Sequence, residues 1–193
     1  VGKTTLAIAQ ALNLAKEYKD DVALLDFNEA TPHIHRILGM PEVDLSGVYD
    51  AAEKGHLVVD DIKKVMQKKR GIWILSGVSL RDFTRFEARH FAQIIEGLRE
   101  EFGYIIIDAN AGVFFSSTLA ALRAANEINV VLLPNERSIC DTTELMDFIN
   151  ERWGVSEAKY RVWANKINSS TLGVDDVRRL LNMKAQGTQG IHY

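Results

Sequence analysis

The stretch GKTTLAIAQAL spans residues 2–12 and places a glycine, a lysine and two threonines before an apolar pattern of helical spacing. It matches the second half of the phosphate-binding motif G-x-x-x-x-G-K-S/T, in which backbone N–H groups and a helix N-terminus hold phosphate. In that motif the lysine reaches the outer phosphates and the hydroxyl binds Mg²⁺. The stretch therefore predicts a nucleotide site formed by Gly2, Lys3, Thr4 and Thr5. The alternative is an ordinary helix start with a capping threonine and a solvated lysine.

Apolar segments of strand length alternate along the chain with longer segments of helical periodicity. This alternation is typical of repeated βαβ units, and runs rich in Val, Ile and Leu are typical of parallel strands covered on both faces. We predict a doubly wound α/β fold, with a mainly parallel sheet and helices on both faces. The predicted strands are 22–27, 72–76, 104–108, 128–133 and 161–165. The predicted helices are 4–18, 83–102, 116–125, 138–153 and 174–181, with a weaker helical connection over 45–69.

Length and composition fit a single globular domain. The chain has 193 residues, of which 47% are hydrophobic and 25% charged, and its formal net charge is −3. This charge disfavours DNA as a partner, although a local basic patch would escape the overall count. A single cysteine cannot form an internal disulfide and no long apolar run is present, so we predict a cytoplasmic location. We expect one domain over residues 1–193, truncated at both ends, with its first strand preceding Val1.

Two aspartates follow apolar runs at positions where a carboxylate can bind Mg²⁺. Asp26 lies in the segment LLDFN, and Asp108 ends the segment YIIID. The second segment has the form of a Walker B strand, whose acidic end holds Mg²⁺ directly or through water. We predict that Thr4 and Asp108 bind the metal and that Gly112 lets the following loop approach a terminal phosphate. An aspartate at a strand end can also simply cap a turn.

The segment VWANKIN at residues 162–168 bears on which base is bound. It is similar to the guanine-binding element N-K-x-D, but it ends in Asn168. A carboxylate accepts both guanine N–H groups, whereas an amide offers one acceptor and an unwanted donor, so guanine is disfavoured. Asn165 can bond an adenine edge, and we predict that Asn165 and Lys166 contact the base of ATP. The alternative is a plain turn after a strand.

With these motifs the chain resembles, over essentially its whole length, the deviant-Walker P-loop ATPases that include MinD and the ParA partition proteins. Residues 2–5 are similar to the end of the family loop K-G-G-x-G-K-T-T. Residues 26–28 resemble its switch I motif D-x-D, and residues 108–112 resemble its switch II motif D-x-P-A-G. Asn165 and Lys166 resemble its adenine-contacting Asn-Arg pair.

Finer features resemble the CpaE and TadZ branch of that family, which is linked to pilus assembly and polar localisation. They are FNE at 27–29, ILG at 37–39 before Pro41, LREEF at 98–102 and LLP at 132–134.

The resemblance implies ATP and Mg²⁺ as cofactors, ATP-dependent homodimerisation and a signature lysine that would precede Val1. It implies protein partners of a pilus, secretion, division or partition system, and peripheral contact with the membrane or cell pole. It assigns catalytic roles to Lys3, Asp26 and Asn28. Asn28 departs from the family, because the second acidic position of D-x-D positions the attacking water and an amide cannot act as a general base. Hydrolysis is therefore expected to be slow, and Asn110 in place of the switch II proline is a second departure.

The sequence leaves other function classes open. A small-molecule kinase or ligase of related fold would use the same nucleotide motifs, and a degenerate scaffold would bind ATP without turnover. Iron–sulfur relatives such as the nitrogenase iron protein are disfavoured because Cys140 stands alone. Signal-recognition-type GTPases are disfavoured by Asn168.

Overall fold

A computed structural model describes residues 2–29, 31–43, 45–168, 171–181 and 188–192. The described chain divides into two compact units. The four-stranded unit comprises Thr4–Ala124, and the three-stranded unit comprises Val1–Lys3 with Ala125–Tyr193. The strands are β1 (Val22–Phe27), β2 (Gln67–Lys69), β3 (Ile72–Leu75), β4 (Tyr104–Ala109), β5 (Ile128–Leu132), β6 (Tyr160–Ile167) and β7 (Thr188–His192). The helices are α1 (Lys3–Leu14), α2 (Ile34–Ile37), α3 (Tyr49–Glu53), α4 (Val59–Lys64), α5 (Ala88–Arg99), α6 (Ser116–Ala124), α7 (Glu136–Trp153) and α8 (Val174–Leu180).

The four-stranded unit contains a sheet of order β2-β3-β1-β4. Strand β1 pairs in parallel with both β3 and β4, which confirms the parallel core predicted from the sequence. Strand β2 was not predicted: it lies in the stretch expected to be helical and pairs antiparallel with β3. The cause is a two-residue hairpin turn, in which Arg70 and Gly71 both adopt positive φ angles of 53° and 80°.

Strand β1 is buried along its whole length, and its side chains alternate between two apolar clusters. Ala23, Leu25 and Phe27 pack with buried residues of α5 and α6. Val22 and Leu24 pack on the opposite face with Ala7, Ile8 and Ala11 of α1. Helices therefore cover both faces of this sheet, as predicted. Because side chains alternate along a strand, the even-numbered residues of β1 face α1.

The three-stranded unit contains a parallel sheet of order β5-β6-β7. Its core joins apolar residues of β5 and β6 with Ile139 of α7 and Val177 of α8. Helix α7 begins where the side chain of Asn135 accepts a hydrogen bond from the Ser138 N–H at 2.9 Å, and it ends at Gly154 in the left-handed conformation. Strands β5 and β6 match the predicted strands, whereas β7 was not predicted. Burial raises the pKa of Tyr160, the first residue of β6, to about 12.

The long helix predicted over 83–102 is wrong in its first turn. Phe83–Arg85 form a 3-10 turn, and Phe86 and Glu87 are extended before α5 starts at Ala88. The break arises because Phe86 turns into the core and the Glu87 N–H donates to His90 Nδ1 at 3.0 Å, which caps the new helix.

Among the described residues, no helix combines the length and apolar character needed to cross a bilayer.

Candidate functional site

Helix α1 begins at Lys3, as the phosphate-loop motif predicts. The first N–H groups of a helix have no intrahelical partner, so this end can hold an anion. Within the described residues no carboxylate forms an ion pair with the Lys3 ammonium group, which leaves that cation available. Thr5, the third residue of the helix, is exposed.

Gly2 has a φ angle of 94°, a conformation that side chains rarely adopt. A Cβ atom added there would lie 2.3 Å from Nδ2 of Asn165. The position therefore requires glycine for two independent reasons, backbone conformation and close approach. Asn165 itself is 1% exposed at the C-terminal part of β6, and its contact with an adenine base stays a prediction.

Thr4 and Asp108 meet directly in the four-stranded unit. The Thr4 hydroxyl donates to Oδ2 of Asp108 at 2.6 Å, although 104 positions separate the two residues in the chain. Asp108 stands opposite Asp26 in the β1–β4 register. Tyr104 and Ile106 of β4 pack in the apolar cluster that contains α1. Because side chains alternate along a strand, Asp108 lies on the same face of the sheet as these two residues, as Asp26 does in β1. The register of the sheet therefore places the Asp108 carboxylate next to the start of α1.

Asn28 connects the two buried aspartates. Its Nδ2 amide donates to Oδ1 of Asp26 at 2.9 Å and to Oδ2 of Asp108 at 2.8 Å. Asp26 is fully buried and Asp108 is 2% exposed. Two carboxylates this close repel each other unless a donor or a cation lies between them, and the amide supplies the donor.

Asp26 also organises the loop after β1. Its Oδ2 accepts from the backbone N–H groups of His33 and Ile34 at 2.6 and 2.8 Å. Its Oδ1 accepts from the backbone and side chain of Asn28. The carboxylate is therefore occupied by hydrogen bonds to the loop that it shapes. The catalytic roles of Asp26 and Asn28 stay predictions, whereas their contacts identify Asp26 as a fixed point of this loop.

The pair formed by Thr4 and Asp108 fits Mg²⁺. Adjacent oxygen ligands of an octahedral Mg²⁺ ion lie about 3 Å apart, and Mg²⁺ usually takes one or two protein ligands with phosphates and waters completing the shell. One hydroxyl and one carboxylate at 2.6 Å match that donor set. Among the described residues there is no cluster of three or more His, Cys, Asp or Glu residues suited to a metal.

The loop after β4 carries Asn110 and Gly112. The Asn110 Nδ2 atom is buried without a hydrogen-bond partner among the described residues. A Cβ at Gly112 would lie 3.1 Å from the Phe115 ring, so the glycine allows that ring to pack closely against the backbone. Phe114, beside it, is 86% exposed. The predicted approach of Gly112 to a terminal phosphate stays a prediction.

A cleft of about 760 Å³ opens in the three-stranded unit between the loops that follow β5 and β6. Lys166 lines it from β6, with a φ angle of 63° that turns the chain, and Asn168 lines it two residues later. The Thr171 hydroxyl closes the loop after β6: it accepts a hydrogen bond from the Asn168 N–H and donates one to the Asn168 carbonyl. The other lining residues are Leu133, Pro134, Asn135, Glu136 and Leu172. Lys166 and Asn168 of the segment quoted for base recognition thus border a cleft of nucleotide-base size or larger, whereas the buried Asn165 is not among the described lining residues.

Two further buried residues were missed by sequence reasoning. Glu29 is 6% exposed and its Oε1 accepts from the Ser117 N–H at 2.5 Å. The Ser117 hydroxyl donates to the Phe27 carbonyl at 2.9 Å. The serine-rich helix start at 116–118 was visible in the sequence, but nothing there indicated which carboxylate would reach it.

No family model matches the chain. Over 190 residues it is 29% identical to an uncharacterized ATP-binding protein of Methanocaldococcus jannaschii, a match that covers 96% of this chain and 68% of that protein. It is 28% identical over 157 residues to the septum site-determining protein MinD of Helicobacter pylori, covering 79% of this chain and 56% of MinD. The chain therefore spans between about half and two thirds of these relatives.

Solved structures show the same fold. A ParA family ATPase from Chlorobium tepidum superimposes with a TM-score of 0.82 at 16% identity, covering 97% of this chain and 78% of that one. MinD of Pyrococcus horikoshii, complexed with Mg-ADP, gives 0.74 at 16% identity, covering 97% and 75%. A MinC:MinD cell division complex from Aquifex aeolicus gives 0.72 at 25% identity, also covering 97% and 75%.

Proposed function

We propose that this chain, a domain of the MinD/ParA family of deviant-Walker P-loop ATPases, binds ATP with Mg²⁺ and hydrolyses it slowly as a conformational switch. The observation that carries the proposal is the 2.6 Å hydrogen bond between Thr4 and Asp108. P-loop NTPases hold Mg²⁺ with the loop hydroxyl and the Walker B aspartate, and here the same two groups meet at the start of α1.

Each residue of the site has a defined task in this proposal. The first N–H groups of α1 and the Lys3 ammonium bind the phosphates, because both are cationic or partly positive and form no ion pair or hydrogen bond with a carboxylate of the described residues. Thr4 and Asp108 hold Mg²⁺, which when bound neutralises charge on the phosphate oxygens. Gly2 allows the backbone conformation that precedes the helix.

Slow hydrolysis follows from Asn28. Its amide donates to both aspartates, so its nitrogen is directed at carboxylates. An amide cannot take a proton from water, and a general base contributes about 10²–10⁴-fold to such reactions. The chain is therefore suited to hold ATP for long periods, with turnover supplied or accelerated by a partner protein.

The cleft of the three-stranded unit is proposed to take the adenine base. Its lining includes Lys166 and Asn168, and the latter is an amide at the position where guanine recognition would use a carboxylate. Leu133 and Leu172 offer apolar contact to a flat ring.

The biological role proposed is spatial positioning or assembly through an ATP-dependent homodimer. Two comparisons support it: the MinD relative is a septum site-determining protein, and a MinD structure is a complex with MinC. The finer proposal is a role in pilus assembly or secretion of the CpaE and TadZ type, in the cytoplasm or peripherally at the membrane. It rests on the sequence segments FNE at 27–29 and LLP at 132–134.

The test is Mg-ATP binding, ATP turnover and light scattering on the full-length protein, for the wild type and for Asn28→Asp. We expect the wild type to bind Mg-ATP, to dimerise when ATP is bound and to hydrolyse ATP slowly, and we expect Asn28→Asp to raise ATP turnover about tenfold or more.

In the absence of Mg²⁺, Asn28→Asp should lower the unfolding free energy by about 1–3 kcal/mol, because a third carboxylate replaces the bridging donor. Asn13→Asp, at an exposed position of α1, is the matched control.

Each contrary result would indicate a different function. Absence of Mg-ATP binding would refute the proposal. Turnover only with a small-molecule acceptor and no dimer would indicate a kinase or ligase. Binding without turnover in both proteins would indicate an ATP-holding scaffold.

A further inference from the structure

Glu29 is a buried carboxylate that the proposed chemistry does not use. It is 6% exposed, and its Oε1 accepts from the Ser117 N–H at 2.5 Å. Ser117 is the second residue of α6, so this N–H is one of those that the helix itself cannot pair. A carboxylate there is also favoured by the partial positive charge of the helix start.

A second bond joins the same two segments. The hydroxyl of Ser117, which is fully buried, donates to the Phe27 carbonyl at 2.9 Å. Asn28, between Phe27 and Glu29, donates to Asp108 at the other end of the loop that leads to α6. Phe27, the last residue of β1, and the two residues that follow it thus contact both flanks of the loop between β4 and α6.

We propose that Glu29 is a positioning residue that couples the loop after β1 to the loop after β4, so that a nucleotide sensed by one loop reorients the start of α6. This inference rests on the proposed nucleotide function. The physical reason is that the loop from Asp108 to Ser117 is held at both ends by residues 27–29. A displacement of residues 27–29 therefore shifts both ends of that loop together. Exposed Phe114 lies within this loop and would move with it.

The simpler view is that Glu29 only caps α6 and contributes stability. The two views differ in one observable, the response of α6 to nucleotide. A cap holds the helix equally with ADP and with an ATP analogue, whereas a coupling residue makes the first turn of α6 depend on which is bound.

The experiment measures hydrogen exchange of the first turn of α6 in the full-length protein, with Mg-ADP and with a Mg-bound non-hydrolysable ATP analogue. Wild type is compared with Glu29→Ala and Glu29→Gln. Asp21→Ala is the matched control: Asp21 Oδ1 accepts from the Gly103 N–H at 2.7 Å and joins the same strands, β1 and β4, at their opposite ends. ATP turnover is measured in parallel, with kcat and KM separated.

We expect exchange in wild-type α6 to differ about tenfold between the two nucleotides, and Glu29→Ala to abolish the difference while KM changes less than kcat. Glu29→Gln keeps an acceptor oxygen and should retain part of the response, which also covers the case that Glu29→Ala does not fold. Asp21→Ala should respond like the wild type.

A nucleotide-dependent difference that persists in both Glu29 variants, or that Asp21→Ala also loses, overturns the coupling and leaves the ATPase proposal standing. Failure of the wild type to bind either nucleotide overturns both proposals. The two failures are therefore distinguishable.

Discussion

The two units treat polar groups in opposite ways. In the four-stranded unit Asp26, Glu29 and Asp108 are at most 6% exposed, and each carboxylate accepts a hydrogen bond from the first turn of a helix. Among the described residues of the three-stranded unit, Asn165 is the one buried polar residue, and Lys166 and Asn168 line an open cleft.

The difference has a physical cause and a functional meaning. A carboxylate buried without partners costs several kcal/mol, so a unit that buries three of them must fix the helix starts and loops that supply the donors. Such fixed groups suit chemistry on phosphate and metal, where charge must be placed in advance. An open cleft with exposed side chains suits binding of a flat base, whose recognition depends on a few edge contacts.

The largest effect is expected from removing the negative charge of Asp108, one of the buried carboxylates of the four-stranded unit. Asp108→Asn keeps the shape but neutralises the group that accepts from Thr4 and Asn28. Mg²⁺-dependent ATP turnover should fall about a hundredfold or more, because a proposed metal ligand is lost. The measurement is turnover against Mg²⁺ concentration, with surface variant Asp60→Asn as control. Unchanged Mg²⁺ dependence in Asp108→Asn would place the metal elsewhere.

A second, smaller effect tests the buried contact of the three-stranded unit. Gly2→Ala should cost about 1–3 kcal/mol of unfolding free energy, because its φ is 94° and the new Cβ would meet Asn165 at 2.3 Å. Gly55→Ala is the matched control, since Gly55 has a φ of 68° with nothing within 4 Å of an added Cβ. Chemical denaturation of both variants separates conformational strain from collision.

The double variant Gly2→Ala with Asn165→Ala sharpens the result. Measured relative to Asn165→Ala alone, the added Gly2→Ala keeps the strained φ without the collision, so its further cost should fall toward that of Gly55→Ala. Equal costs for Gly2→Ala and Gly55→Ala would mean that the collision is absorbed by movement of the Asn165 amide.

The smallest effect concerns base choice in the open cleft. Asn168→Asp completes the string N-K-I-D and adds the carboxylate that accepts both guanine N–H groups. Affinity for GTP relative to ATP should rise about tenfold, measured by competition binding. Asn135→Asp adds the same charge to the lining of the same cleft while keeping a side chain that can cap α7. A matching rise in that control would show that charge alone, and not its position after β6, sets the preference.

Sequence reasoning succeeded where a local pattern carries the information. The five predicted strands are present within two residues at each end, because continuous apolar runs such as Val22–Leu25 are buried on both faces of a parallel sheet. It failed for β2, where Arg70 and Gly71 form a hairpin turn that overrides a helical pattern. It also failed before α5, where Phe86 leaves the helical path to enter the core.

The sequence by itself determined the α/β class, the parallel core and the places of Lys3 and Thr4 at a helix start and of Asp108 near a strand end, because alternation and spacing along one chain are enough for these. Only the tertiary structure decided that Asn28 bridges Asp26 and Asp108 and that Glu29 bonds to Ser117. These contacts depend on which strands are neighbours and in which register, and both are set by long-range pairing that no local pattern encodes.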